Sequence, residues 1–233
     1  PCGRLAEGAK EEHAMPDTFT TPQNRQLAYH RHRGESALPG IVFLGGFRSD
    51  MTGTKALHLE AFAQAEGRDF LRFDYSGHGA SSGDFLEGCI GDWAEDAEAA
   101  LTSLTEGPQI LVGSSMGGWI ALLLARKRPE RLAGLVGIAA APDFTEDSMW
   151  AGFDEAQRNA LLSEGQVALP SDYSDDPYII TRRLSQDEPI APVFESTCRF
   201  PCRSAFSTAR ATRMSLYPSP SAFWSTPMRP ICG

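Results

Sequence analysis

Apolar positions along the chain fall into two alternating rhythms. "GIVFLGG" (40–46), "DFLRFDY" (69–75), "PQILVGS" (108–114) and "RLAGLVGIAAAP" (131–142) are short, mostly apolar runs and read as buried strands. Between and after them, "TKALHLEAFAQAEG" (54–67), "GDWAEDAEAALTSLTEG" (91–107) and "SMGGWIALLLARKRP" (115–129) place apolar residues at helical spacing, the first two with an acidic outer face. "LAYHRH" (27–32) is expected to be an edge strand. Strands that alternate with helices predict an α/β fold: a mostly parallel sheet with helices on both faces. Residues 142–185 break the rhythm with acidic helical stretches, and Met149, Trp150 and Phe153 among them are expected to be exposed. This segment is read as a small lid over the carboxyl ends of the strands. No internal repeat is visible.

Composition narrows the function classes. A chain of 233 residues that is 42% hydrophobic can bury one substantial core. Its 21 basic and 30 acidic residues, net −9, argue against nucleic acid or an anionic membrane surface as partner. A neutral or small substrate fits better. No apolar run reaches the roughly 20 residues a membrane helix needs, and the first residues, "PCGRLAEGAKEEHAM", lack the apolar stretch of a signal peptide. A soluble, cytoplasmic protein is the expectation. Residues 1–14 precede the first patterned segment and are expected to be a disordered extension or translated upstream sequence. The five cysteines form no C-x-x-C pair and adjoin no histidine cluster, so free or packing thiols are expected rather than a metal site.

Chemistry concentrates in "QILVGSSMGGWIALLLA" (109–125). Gly113-Ser114-Ser115-Met116-Gly117 matches G-x-S-x-G between an apolar strand and a helix, the setting in which a strained turn projects a serine hydroxyl at the sheet edge. Ser115 is the candidate nucleophile and Ser114 a packing or capping neighbour. A tetrahedral intermediate needs oxyanion donors, and the Met116 N–H is one. The second is expected from "GGFRSDMTGTK" (45–55), where Gly45 and Gly46 allow close approach and Phe47 supplies an N–H. A phosphate loop is rejected there, because Thr54 stands between Gly53 and Lys55.

Taken in order, "LGGFRSDMTGTKA", "FDYSGHGASSGDF", "LVGSSMGGWIALLLA" and "IAAAPDFTED" resemble the α/β-hydrolase family, in particular its small serine esterases and thioesterases. The likeness spans roughly residues 25–185. It implies a Ser-Asp-His triad acting on a small-molecule acyl ester or thioester, with no cofactor and no metal. It aligns Ser115 with the nucleophile and the N–H groups of Phe47 and Met116 with the oxyanion hole, and assigns His78 to a structural turn.

The family's triad runs Ser, Asp or Glu, then His, yet His13, His30, His32, His58 and His78 all precede Ser115. Asp143 is an alternative acid, but without an imidazole it does not take the serine proton effectively. The tail at 196–233 contains no Asp, Glu, Lys or His and five arginines, an abrupt change in composition. One reading is a low-complexity Ser/Pro/Arg tail. The sharper reading is a frameshift between about residues 184 and 197: across "CRSAFSTARATRMSLY", the shifted codons permit Pro-Phe-Arg-Leu-Leu-His-Gly-Thr-Gly-Asp-Glu-Asp-Val-Pro-Leu. The shifted frame resembles the family's strand and acid-bearing turn, with the Asp encoded across Ala211 and Thr212 and the His beyond residue 233. The expected domains are therefore 1–14, a core at 15–195 and a tail at 196–233, with the C-terminal part of the sheet incomplete. The expected function is a serine hydrolase with impaired activity; a non-catalytic binding protein on the same fold, or a damaged product without function, is the alternative.

Overall fold

The computed structural model describes residues 15–169 and 177–185, apart from the side chains of 146–148. The 1–14 extension, the 196–233 tail and its frameshift lie outside the described residues. A six-stranded sheet has the order β1-β2-β4-β3-β5-β6. Its members are β1 (Asp17–Thr20), β2 (Gln26–His32), β3 (Ile41–Leu44), β4 (Phe70–Phe73), β5 (Gln109–Ser114) and β6 (Leu132–Ile138). β3, β4, β5 and β6 run parallel, and β2 pairs antiparallel with both β1 and β4. The "LAYHRH" strand is therefore interior. The polar segment "DTFT" forms β1 and covers the edge that β2 would have left open.

Strand periodicity explains why the central strands are apolar throughout. In β3 all four residues are buried. Ile41 and Phe43 pack with Phe70, Val112 and α1 (Thr54–Ala65), through Ala56 and Ala63. Val42 and Leu44 face the opposite way, into the cluster with Trp93, Ala97 and Leu101 of α2 (Ile90–Leu104) and Ile120 and Leu124 of α3 (Met116–Lys127). Successive side chains point to opposite faces, so a sheet covered on both needs apolar residues at every position. β6 ends the sheet among the described residues, and its Val136 is 38% exposed.

The segment from 142 holds a π-helical turn (Thr145–Trp150), α4 (Glu155–Glu164), a two-stranded antiparallel pair of β7 (Gln166–Leu169) and β8 (Tyr178–Thr181), and α5 (Arg182–Ser185). Asp154 caps α4 through a reciprocal box with Gln157, and Gly165 ends it in the left-handed conformation. The expected exposure of Met149 and Phe153 is corrected: both are buried in the same core as α2 and α3, and Trp150 is half-buried. Acidic composition hid an inner apolar stripe that also takes in Leu161, Val167, Ile180 and Leu184.

Candidate active site

At the carboxyl end of β5 the chain turns sharply into α3, and Ser115 makes the turn with φ 52° and ψ −118°. A non-glycine residue in such a region costs about 1–3 kcal/mol. The surroundings hold it there. Ser115 N–H donates to the Ile138 carbonyl at 3.0 Å, and its own carbonyl accepts from Gly118 at 2.9 Å and Ala141 at 3.2 Å. Gly117 lets α3 approach the end of β3: a Cβ there would collide with the carbonyl oxygens of Leu44 and Gly45. Residues 111–114 and 116–121 are buried, whereas Ser115 is only half-buried and its hydroxyl caps nothing in α3. Ser114 is buried as the last residue of β5.

The β3–α1 loop lies against this serine. A Cβ built on Gly46 would sit 3.4 Å from the Ser114 carbonyl oxygen and 3.5 Å from Ser115 Cβ. Residues 46–49 form a turn closed by Ser49 N–H to Gly46 carbonyl at 3.1 Å, with Arg48 at φ 55° in the third position. Positive φ there is ordinarily met by glycine or asparagine. Phe47 precedes it, its ring packed edge-on against Phe85, Trp93 and Phe144 at centroid distances of 5.0, 6.1 and 5.9 Å. Phe144 in turn meets Trp119 of α3 at 5.7 Å, so a continuous run of rings joins the loop to the serine's helix. Farther along the loop, Met51 N–H donates to Asp74 Oδ1 at 2.6 Å, while Asp74 Oδ2 accepts from Ala80 at 2.9 Å. Burial raises the Asp74 carboxyl's pKa, and these two amide donors oppose the shift. One buried carboxylate thus anchors both loops at this edge of the sheet. Met116 opens α3, and the first N–H groups of a helix have no acceptor within it.

The described histidines lie apart from this turn. His30 and His32 sit on β2, three strands from β5; at about 4.7–4.9 Å per strand that is roughly 14 Å of sheet. His58 is exposed on α1, across the sheet from α3. His78 occupies the loop after β4 but is buried, ringed edge-on by Tyr75, Phe85 and Trp93, with Nδ1 3.1 Å from the Ser76 carbonyl. Its Nε2 has no partner among the described residues. Burial pushes its pKa below the usual imidazole value, against the pull of the Ser76 carbonyl and the Asp96 charge. Asp143, buried and at φ 54°, comes two residues after Ala141, whose N–H reaches the Ser115 carbonyl.

Among the described residues, no His, Cys, Asp and Glu side chains cluster as metal ligands, and no helix is long and apolar enough to cross a membrane. Sequence reasoning missed Arg48, Asp74 and the Phe47–Phe144–Trp119 run of rings. "FRSD" carried no glycine or asparagine to announce a positive φ, and the other contacts join residues distant in sequence.

Comparison with known proteins identifies the family and the fold. The model described as the alpha/beta hydrolase family matches residues 41–231. The palmitoyl-protein thioesterase ABHD10, mitochondrial, of Rattus norvegicus is 42% identical over 157 residues, covering 67% of this chain and 52% of that protein. The chain spans about half the length of the curated relatives it matches. A crystal structure from Agrobacterium vitis S4 superposes with a TM-score of 0.71 at 42% identity, covering 74% of this chain and 70% of that one. Mouse alpha/beta hydrolase domain-containing protein 10 superposes at 0.66 with 36% identity, covering 75% and 69%.

Proposed function

The chain belongs to the alpha/beta hydrolase family, and from that premise we propose that it is built to cleave carboxylic esters or thioesters through an acyl-enzyme at Ser115. The observation that carries the reading is the strained backbone of Ser115 at the strand-to-helix turn, with Gly46 of the neighbouring loop packed against it. Ser115 Oγ attacks the acyl carbonyl carbon. The carbonyl oxygen takes the negative charge and accepts hydrogen bonds from the N–H groups of Phe47 and Met116. The C–O or C–S bond then breaks, the serine proton leaves with the alcohol or thiol, and water hydrolyses the acyl-serine to the free acid. The relative from Rattus norvegicus is named for a palmitoyl-protein thioester; the class carried over here is an acyl thioester or ester.

No described histidine sits at the Ser115 turn, so among the described residues the serine proton has no imidazole acceptor. Turnover is then limited to what the oxyanion donors and binding supply, about 10³–10⁴-fold over water. The test compares hydrolysis of p-nitrophenyl acetate and of a short acyl thioester by the chain and by Ser115→Ala. Slow release above buffer is expected in both proteins, because the oxyanion donors and binding supply it without the serine, whereas an acyl adduct on Ser115, read by intact mass, is expected in the chain alone. No such adduct, or an equal one in Ser115→Ala, would remove the nucleophile assignment. Rates near ~1–10³ per second, lost in Ser115→Ala, would mean an upstream histidine completes the site. That no imidazole meets Ser115 among the described residues also favours a second reading, a non-catalytic binding protein on this fold, which predicts saturable binding of such esters with no acceleration.

A further inference from the structure

We propose that Arg48 is a positioning residue: its guanidinium, held between the rings of Phe85 and Tyr178, sets the turn that presents the Phe47 N–H to Ser115 and ties that turn to the β7–β8 pair. The proposal rests on the reading of Phe47 as an oxyanion donor. Its starting point is a mismatch between residue and conformation. Arg48 takes φ 55° at the third position of the Gly46–Ser49 turn, where glycine would sit without strain.

What holds an arginine there is a double contact. Arg48 Cζ lies 5.2 Å from the Phe85 ring centroid and 5.3 Å from that of Tyr178, both inside the range of cation–π attraction. The two rings come from separate parts of the chain. Phe85 opens a short 3-10 turn (Phe85–Glu87), and Tyr178 begins β8, where it pairs with Leu169 of β7. Phe85 also meets the Phe47 ring at 5.0 Å. The two central residues of the turn are therefore gripped by one ring, and Tyr178 completes the grip from the other element. Withdrawing Tyr178 would leave a strained turn with half its support, free to relax and carry the Phe47 N–H out of line.

The experiment uses the full chain with Arg48→Ala, Tyr178→Ala and Tyr178→Phe, the last keeping a ring for the guanidinium. Two readouts are taken: residual kcat and KM on p-nitrophenyl acetate, and amide exchange of Ser49, whose N–H closes the turn on Gly46. Loss of a whole oxyanion donor costs ~10²–10³ in kcat, so a misaimed one is expected to cost about tenfold, with KM changed by less than about twofold. Arg48→Ala and Tyr178→Ala should both show this and exchange Ser49 faster; Tyr178→Phe should resemble the unaltered chain. Unchanged kcat and unchanged Ser49 exchange in both alanine variants would overturn the proposal, leaving Arg48 an ordinary surface residue. If the unaltered chain shows no turnover above buffer, the hydrolase reading fails, and Ser49 exchange alone still decides whether the grip exists. Should Arg48→Ala fail to fold, Tyr178→Ala against Tyr178→Phe carries the test alone, with the same expected outcomes.

Discussion

At Ser115 the chain spends stability to hold a side chain where glycine would rest without strain. Relief of ~1–3 kcal/mol of backbone strain, less ~0.4–1 kcal/mol for the freer unfolded chain that glycine brings, predicts that Ser115→Gly is more stable than Ser115→Ala by about 0.5–2 kcal/mol. Denaturant midpoints of the two variants measure this, and equal midpoints would place the strain elsewhere. His78 makes a second residue-scale prediction. Burial depresses its folded pKa below the ordinary 6.5, so as pH falls through that value the unfolded chain takes up a proton the folded chain refuses. Its contribution to stability is complete above about pH 6.5 and declines below it. His78→Asn should remove part of the loss of unfolding free energy between pH 8 and 5.5. An identical pH slope in the variant would count against a neutral, caged imidazole.

At the scale of elements, two ion-pair groups on α2 look alike on paper and differ in burial. Asp96 is fully buried and accepts from Arg25 Nε at 2.6 Å and from the Ser76 N–H and hydroxyl at 2.9 and 2.7 Å, fastening α2 to the turn before β2 and to the loop after β4. Glu98 bridges from α2 to Lys127 and Arg128, whose side chains are 59% and 45% exposed. Removing Asp96 leaves the buried Ser76 N–H and hydroxyl without their acceptor, at ~1–3 kcal/mol for each group, while Arg25 keeps Asp92 and Glu95; exposed pairs are worth ~0–1 kcal/mol. Asp96→Ala should therefore lower unfolding free energy several-fold more than Glu98→Ala. Comparable losses in urea titrations would mean that solvent reaches Asp96.

For the whole molecule, the open question is the route by which the hydroxyl at Ser115 loses its proton. The composition break at 196–233 predicts that gene sequence around codons 184–240 carries a shift, and one uninterrupted frame ending at Gly233 would refute it. Restoring the other frame with its downstream extension should return an Asp and a His and raise kcat on short p-nitrophenyl esters by about 10⁴–10⁶. Ser115→Ala in the restored protein should abolish that gain. A restored chain no faster than the present one would show that the tail is not the missing half of the site.

Local pattern determined β3, β4, β5, β6 and the helices between them, because strand and helix periods are written in neighbouring residues. It also located the Ser115 turn, since β5, the small residues around the serine and α3 lie within one short stretch. Only the tertiary structure decided that β2 is interior, that Met149 and Phe153 turn inward, that Gly46 meets Ser115 and that Arg48 lies between Phe85 and Tyr178. Each of these joins residues far apart in the chain. Strand order, inward-facing stripes and ring contacts are set by which surfaces pack together, and no local period encodes the identity of a distant partner.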